Sequence, residues 1–292
     1  MKNTLTIKVT FEKRPMANIK SISSHLINIY SYSHQGKRTY QEDSHSFGDN
    51  FLLVSDGVGG MAKGEIASDL VTDIFSSAIK KNEITHEEVE NDIGKVVGKI
   101  LLAMISYAGE HPESWGMGAT LALLLQLDDS FFSIHIGDSK VYHFGSDGVV
   151  KWRSKDHSLV QELVSAGIIK ESDAHDHPRK NIITRVLQAK EDHRVRASIH
   201  ELENVVQGDR FLVCSDGVIE SWTDAGLSSL FSSICDNEDI IREIEKFCAS
   251  NSSDNNTAII AKVWKIETVN ETTLFDSDFS IKIIGQCMLK CD

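Results

Sequence analysis

Five aspartates, Asp43, Asp56, Asp138, Asp216 and Asp254, each sit where a strand meets a turn rich in glycine, serine or asparagine. Two of them close matched stretches, Phe51-Leu52-Leu53-Val54-Ser55-Asp56-Gly57-Val58 and Phe211-Leu212-Val213-Cys214-Ser215-Asp216-Gly217-Val218. A short apolar run bounded by turn residues reads as a strand buried on both faces. A carboxylate at its end is held at the rim of a core, where an unpaired charge is costly. The glycine that follows lets the backbone turn sharply and a ligand come close. Asp-Gly is also a common turn dipeptide, and either copy alone would be read that way; the matched pair points to one shared cation site. Carboxylates without Cys or His partners suit hard ions, Mn²⁺ or Mg²⁺. Two such ions lower the pKa of a water between them and aim it at a phosphorus or carbonyl centre. Arg38, the nearest fixed cation in sequence to Asp43, has a planar guanidinium that grips two phosphoryl oxygens. Without the aspartates it would read as a solvated loop charge.

The intervening residues must form the elements that hold these groups. Residues 5–11 alternate as a half-buried strand ending near Pro15, and Ile27 and Ile29 continue the β pattern. Residues 47–54 read as a hairpin with Gly48-Asp49-Asn50 as its turn. A helix over 65–81 places Ile66, Leu70, Ile74 and Ala78 on one face. Thr85 and Glu88 form a capping-box pattern opening a second helix, whose face is Val89, Ile93, Val96, Val97, Ile100, Leu101, Met104 and Ile105. A meander follows through 118–127, 132–136, 141–144 and 149–150, bending at Gly137-Asp138-Ser139. Residues 157–166 read as helical and 167–185 as irregular. Strands over 195–199 and 211–214, helices over 224–231 and 236–249, and a last core strand over 257–264 complete the chain. The later helix carries Ile240, Ile241, Ile244 and Phe247 on one face. This order predicts two sheets packed face to face with helix pairs outside.

Composition removes several functional classes. The formal charge of −13 disfavours nucleic acid or an anionic membrane as the main partner. A hydrophobic content of 41% supports a sizeable core, and no apolar run approaches a membrane span. The N-terminus lacks the apolar stretch of a secretory signal, and five cysteines without a C-x-x-C pair predict reduced thiols and a cytoplasmic location. No C-x-x-x-x-x-R loop is present for cysteine-based phosphate chemistry. Asp173, His175, Asp176 and His177 are spaced too loosely for structural zinc.

The ordered set Arg38-x-x-Gln41-Glu42-Asp43, Ser55-Asp56-Gly57-x-Gly59-Gly60-x-x-x-Gly64-Glu65, Gly118-Ala119-Thr120, Gly137-Asp138-Ser139, Ser215-Asp216-Gly217 and Asp254-Asn255 resembles the PPM metal-dependent protein serine/threonine phosphatases of the compact bacterial type. The resemblance covers about residues 24–265, leaving 1–23 and 266–292 as extensions. It implies an α+β fold, a four-layer α-β-β-α sandwich of two mostly antiparallel sheets flanked by helix pairs. It implies that Asp56 bridges two Mn²⁺ or Mg²⁺ ions, that the carbonyl of Gly57 helps hold one, and that Asp216 and Asp254 complete the first ion's ligands. Asp43 would lie beside the second ion, Glu42 would hold metal-bound water, and Arg38 would clamp the substrate phosphate. Asn255 joins them as a supporting residue. Asp138 with Asp216 matches the place of a third, looser metal. The implied partners are phosphorylated protein substrates of a Ser/Thr kinase, and residues 167–185 resemble the family's flap over the site.

Three positions depart from the family pattern: Gln41 stands for Asn, Lys140 for Arg, and Met61 for a histidine that is a candidate proton donor to the leaving alkoxide. Water on a metal, His34 or His45 is the substitute the residues offer. The competing reading is a catalytically weak or inactive phosphatase-fold binding protein, favoured by Met61 and disfavoured by the complete aspartate set.

Overall fold

A computed structural model describes residues 18–58, 63–174, 177–180 and 182–271. The chain divides into two units, Ser24–Lys265 and a second drawn from the two ends, of which described residues 18–23 and 266–271 are extended strand. The expected strand over 5–11 and the alternating Phe279, Ile281 and Ile283 lie outside the described residues.

One sheet of the main unit begins with the hairpin of β2 (Asp43–Gly48) and β3 (Phe51–Asp56). Gly48 pairs with Phe51, so Asp49 and Asn50 alone form the turn. Strands β5 (Leu121–Leu127), β6 (Ser130–Ile136) and β10 (Ser198–Leu202) extend that sheet in the order β10-β6-β5-β3-β2, every pair antiparallel. The other sheet has the order β1-β12-β11-β7-β8, built from β1 (Asn18–His34), β7 (Lys140–Phe144), β8 (Val150–Arg153), β11 (Arg210–Cys214) and β12 (Asn256–Glu271). Short β4 (Gly118–Ala119) and β9 (Leu187–Gln188) make a separate ribbon.

Three apolar clusters define four layers. Leu52, Val54, Ala122, Leu124 and Phe131 of one sheet meet Val141, Phe211, Val213, Ile259 and Ala261 of the other. Leu53, Leu123 and Ile134 point the opposite way, onto helices α1 (Gly64–Lys80) and α2 (Val89–Glu110). Tyr142, Leu212, Cys214 and Ile260 pack beneath α5 (Asp216–Ser221), α6 (Asp224–Ser233) and α7 (Asn237–Asn251). This is the expected α-β-β-α sandwich. Helices α3 (Leu159–Ser165) and α4 (Glu171–Ala174) lie in the connection after β8. Among the described residues no helix is long and apolar enough to cross a membrane.

Several local expectations are corrected. The buried face of α1 is Ala67, Val71, Phe75, Ala78 and Ile79, with Ser68 and Thr72, while Ile66, Leu70 and Ile74 sit at its margin. Small residues let the helix approach the hairpin, where Thr72 and Ser44 share a hydrogen bond of 2.9 Å. Thr85 does not cap α2; its amide and hydroxyl donate to Asp92 one turn inside the helix, at 3.2 and 3.1 Å. Strand β10 starts at Ser198 rather than at Val195, pairing with β6 from Ser198 across from His135 onward to Leu202. Phe247 is half exposed, and Cys248 takes the core position. Helix α5 and the β4-β9 ribbon had no forecast.

Candidate active site

Side chains on a strand alternate between faces. Leu52 and Val54 point into the space between the sheets, so Asp56 at the end of β3 points there too. Asp43 is its direct cross-strand partner at the start of β2. On the facing sheet Phe211 and Val213 point inward, and Ser215 follows them, donating its hydroxyl to Asp43 Oδ2 at 2.8 Å. Asp216 then opens α5. The two matched Ser-Asp-Gly-Val stretches therefore end together across the sandwich. The first continues as extended chain through Gly57, and the second turns into a helix.

Thr120 joins this pair to Asp138. Its hydroxyl accepts from the Asp56 amide at 3.0 Å and bonds to Ser139 Oγ at 2.7 Å, while its carbonyl accepts from Ser55 Oγ at 2.7 Å. Gly137 turns with φ +101°, and a Cβ there would stand 2.7 Å from the Thr120 methyl, so the turn carrying Asp138 is seated directly on Thr120. Thr120 and Ser215 were not singled out from sequence. Their only signal was membership of the quoted motifs.

Asp254 and Arg38 come from distant loops and share an ion pair of 2.5 Å. Asn255 organises that corner. Its Oδ1 accepts from the Glu42 amide at 2.9 Å, and its Nδ2 donates to the carbonyls of Gln35 and Tyr40 at 2.7 and 2.9 Å. Gly36, at φ +62°, leaves no room for a Cβ, which would fall 2.0 Å from the Asp254 carbonyl oxygen. The Gly57 amide donates to the Glu42 carbonyl at 3.0 Å, and Gly57 packs against Gly64, where a Cβ would meet backbone at 2.5 Å. The Glu42 carboxylate rests on the start of α1, 2.7 Å from where a Gly64 side chain would begin. All nine residues read from sequence, Arg38, Glu42, Asp43, Asp56, Gly57, Asp138, Asp216, Asp254 and Asn255, thus lie along one connected end of the sandwich.

Electrostatics shows the cost of that arrangement. Burial raises the carboxyl of Asp43 to about 7, of Asp216 to about 6 and of Asp138 to about 8, and raises Asp56 well above the ordinary range. The charges of Asp43, Asp216 and Asp138 add to the rise at Asp56, and that of Asp254 to the rise at Asp216. Asp43 Oδ1, Asp138 Oδ1 and Asp216 Oδ1 are buried without a hydrogen-bond partner. Orphaned buried oxygens in an all-carboxylate set are what hard cations satisfy. Among the described residues no three His, Cys, Asp or Glu side chains converge as a finished ligand set; the structure holds a repelling cluster whose donors fit such ions.

The substituted positions have plain surroundings. Gln41 donates to Ser33 Oγ at 2.6 Å, and Lys140 is buried in an ion pair with Asp156. His34 Nδ1 accepts from the Gly36 amide at 2.9 Å. His45 shares a strand face with Asp43 and is held below the ordinary imidazole range by burial. Met61, His175 and Asp176 lie outside the described residues. Residues 167–185 are irregular where described, apart from the turn of α4.

With this geometry in place, relatives identify the lineage. Serine/threonine phosphatase Stp of Listeria innocua is 28% identical over 235 residues, covering 77% of this chain and 91% of that protein. The crystal structure of Staphylococcus aureus serine/threonine phosphatase Stp1 superposes with a TM-score of 0.72 at 27% identity, covering 87% of this chain and 99% of that one. The catalytic domain of the phosphatase PstP, solved in complex with two manganese ions, gives a TM-score of 0.70 at 28% identity, covering 83% and 99%. These relatives are enzymes, and they lend no support to an inactive binding protein. The family model for protein phosphatase 2C matches residues 31–261, and this chain belongs to that family of metal-dependent serine/threonine protein phosphatases.

Proposed function

We propose that the connected end of the sandwich is the catalytic centre, and that it removes phosphate from phosphoserine and phosphothreonine side chains of proteins phosphorylated by a Ser/Thr kinase. The observation that carries the reading is the set of buried aspartates with unpaired oxygens beside one guanidinium. Asp56, Asp43, Asp216, Asp254 and the Gly57 carbonyl would hold two Mn²⁺ or Mg²⁺ ions, with Asp138 and Asp216 at a third. When bound, the ions supply positive charge against the phosphoryl oxygens and acidify water beside them.

The chain's own residues supply the rest. Arg38 reaches the phosphate with a fork that matches two oxygens in a plane. Its tether to Asp254 aims that fork before substrate arrives, so less orientational entropy is lost on binding. Asn255 and Gln35 hold the carbonyls of residues 38–40 from inside, fixing the loop behind Arg38. Glu42, raised by burial and by the Glu65 charge, accepts a proton readily and is placed to orient water at the start of α1. Ser215 keeps the Asp43 carboxylate from rotating away from the shared space, and Thr120 anchors the backbone of Asp56. Attack in line at phosphorus then needs no covalent bond to the chain.

The test is hydrolysis of an aryl phosphate with and without Mn²⁺. Metal-stimulated turnover that disappears in Asp56→Asn and Asp216→Asn, together with loss of Mn²⁺ binding by calorimetry, supports the assignment. Turnover retained in both variants would remove these aspartates from the centre.

A further inference from the structure

Beside the Asp138 turn lies a cavity of about 680 Å³, formed by β8, α3, β10 and the end of the 167–185 segment. A reciprocal pair of hydrogen bonds links it to the turn that carries Asp138. The His157 amide donates to the Gly137 carbonyl at 2.9 Å, and the Gly137 amide donates back to His157 Nδ1 at 3.1 Å. Asp156, on the same rim, raises the Asp138 carboxyl through its charge.

The cavity is cationic in a protein whose formal charge is −13. Of its charged lining, Asp156 is neutralised by Lys140 and Arg153 by Asp224 at 2.8 Å. That leaves Lys155 and Arg185 against Glu162 alone, and among the described residues neither cation has a carboxylate partner. Arg185 does not gain one from its neighbour. Because His157 Nδ1 accepts from Gly137, its Nε2 carries the proton and donates to Ser198 Oγ at 2.8 Å. The Arg185 guanidinium, 3.3 Å from that same Nε2, therefore faces an N–H and is left with its donors open. Trp152 and His200, stacked with centroids 4.8 Å apart, give the cavity a flat wall against which an extended peptide can lie.

We infer that this cavity takes an acidic side chain of the substrate protein, a carboxylate or a second phosphoryl group close in sequence to the phosphoresidue being hydrolysed. The inference rests on the catalytic reading above, and it adds a substrate class: phosphosites in acidic surroundings. Steering by Lys155 and Arg185 acts on peptide substrates and leaves a small aryl phosphate untouched.

The experiment compares phosphopeptides of one sequence in which neighbouring residues are Glu, phosphoserine, Ala or Lys, alongside an aryl phosphate. The wild type should prefer the Glu and phosphoserine peptides over Ala through KM. Lys155→Glu combined with Arg185→Glu should lower kcat/KM on them by roughly tenfold, improve the Lys peptide, and change aryl phosphate turnover by less than about twofold. Response to phosphoserine alone would identify the occupant as phosphoryl, and equal response to Glu as any carboxylate or phosphoryl anion. Equal losses on all peptides, or no loss on any, would overturn the inference. If wild type fails on the aryl phosphate with Mn²⁺, the catalytic reading itself fails, which is a separate outcome. Should the double variant not fold, Lys155→Ala alone, checked by its melting temperature, is expected to move the same peptide ratio in the same direction, and an unmoved ratio there also overturns the inference.

Discussion

Asp43 stands directly across the β2–β3 ladder from Asp56, so neighbouring strands direct two carboxylates into the same buried space. Like charges opposite one another destabilise a sheet. Here the repulsion is reinforced by Asp216 from the facing sheet. The arrangement is unfavourable for folding in the absence of a counterion, and that has measurable consequences.

The first concerns pH. Asp216, Asp43 and Asp138 hold protons in the cation-free fold up to about 6, 7 and 8. The unfolded chain gives these protons up near pH 4, so the native state binds more protons in between. Stability from these groups is therefore complete below about pH 4 and falls as pH rises through the folded values. Cation binding removes the repulsion, so its stabilisation grows across the same window. Melting temperatures in chelator and in Mn²⁺ should differ more at about pH 8 than at about pH 5. Equal increments at both would rule this out.

Asp43→Asn tests the same point by mutation. Removing one charge should raise the melting temperature of the chelated protein at about pH 8, by an amount consistent with about 1 kcal/mol, and should diminish the gain from Mn²⁺. A variant less stable than wild type in chelator would show that the Ser215 bond outweighs the repulsion.

Arg38 is exposed and Asp254 half-buried, and an ion pair with one solvated partner contributes little to folding. Arg38→Lys should leave the melting temperature nearly unchanged. It should lower kcat/KM on an aryl phosphate by about 10- to 100-fold, because a point charge cannot reproduce the planar fork. Steady-state kinetics with a thermal melt on the same sample separates the two effects.

Two glycines make a contrast. A Cβ at Gly217 would fall 2.0 Å from the Asn255 carbonyl oxygen, whereas one at Gly98, within α2, meets nothing within 4 Å. Gly217→Ala should push apart the loops carrying Asp216 and Asp254, costing about 2 kcal/mol and most of the activity. Gly98→Ala should stabilise by up to about 1 kcal/mol with activity intact. Denaturant melts and aryl phosphate assays decide both.

Asn255→Ala should destabilise by about 2 kcal/mol, since it strands the Glu42 amide and the Gln35 and Tyr40 carbonyls together. Activity should fall further than stability, because the Arg38 loop loses its internal support. A melt and an assay that drop in proportion would reduce Asn255 to a purely structural role.

What the residues themselves determined was the identity and order of the parts. Apolar runs ending in Ser-Asp-Gly-Val are strands with carboxylates at their rims whatever the topology. The β5–β6 and β7–β8 hairpins and helix α2 were legible because periodicity and turn residues act locally, but the expected meander breaks between them: at Gly137-Asp138-Ser139 the chain leaves the sheet of β6 and enters the facing sheet at β7. Other features were settled only by packing. The hairpin was expected over residues 47–54, yet β2 begins at Asp43 since β3 offers a ladder that far. The core face of α1 turned from Ile66 and Leu70 to Ala67 and Val71 because close approach to a sheet rewards small residues over large ones. Asp216 opens a helix, while its twin Asp56 leads into extended chain, although the tetrapeptides match; the surroundings in each layer choose. Convergence itself belongs to the tertiary structure: Arg38 meets Asp254 across 216 positions only because two sheets fold face to face and bring their loops to one end. Distances of that kind are set by burial of the core between the sheets, a cooperative quantity that no local stretch encodes.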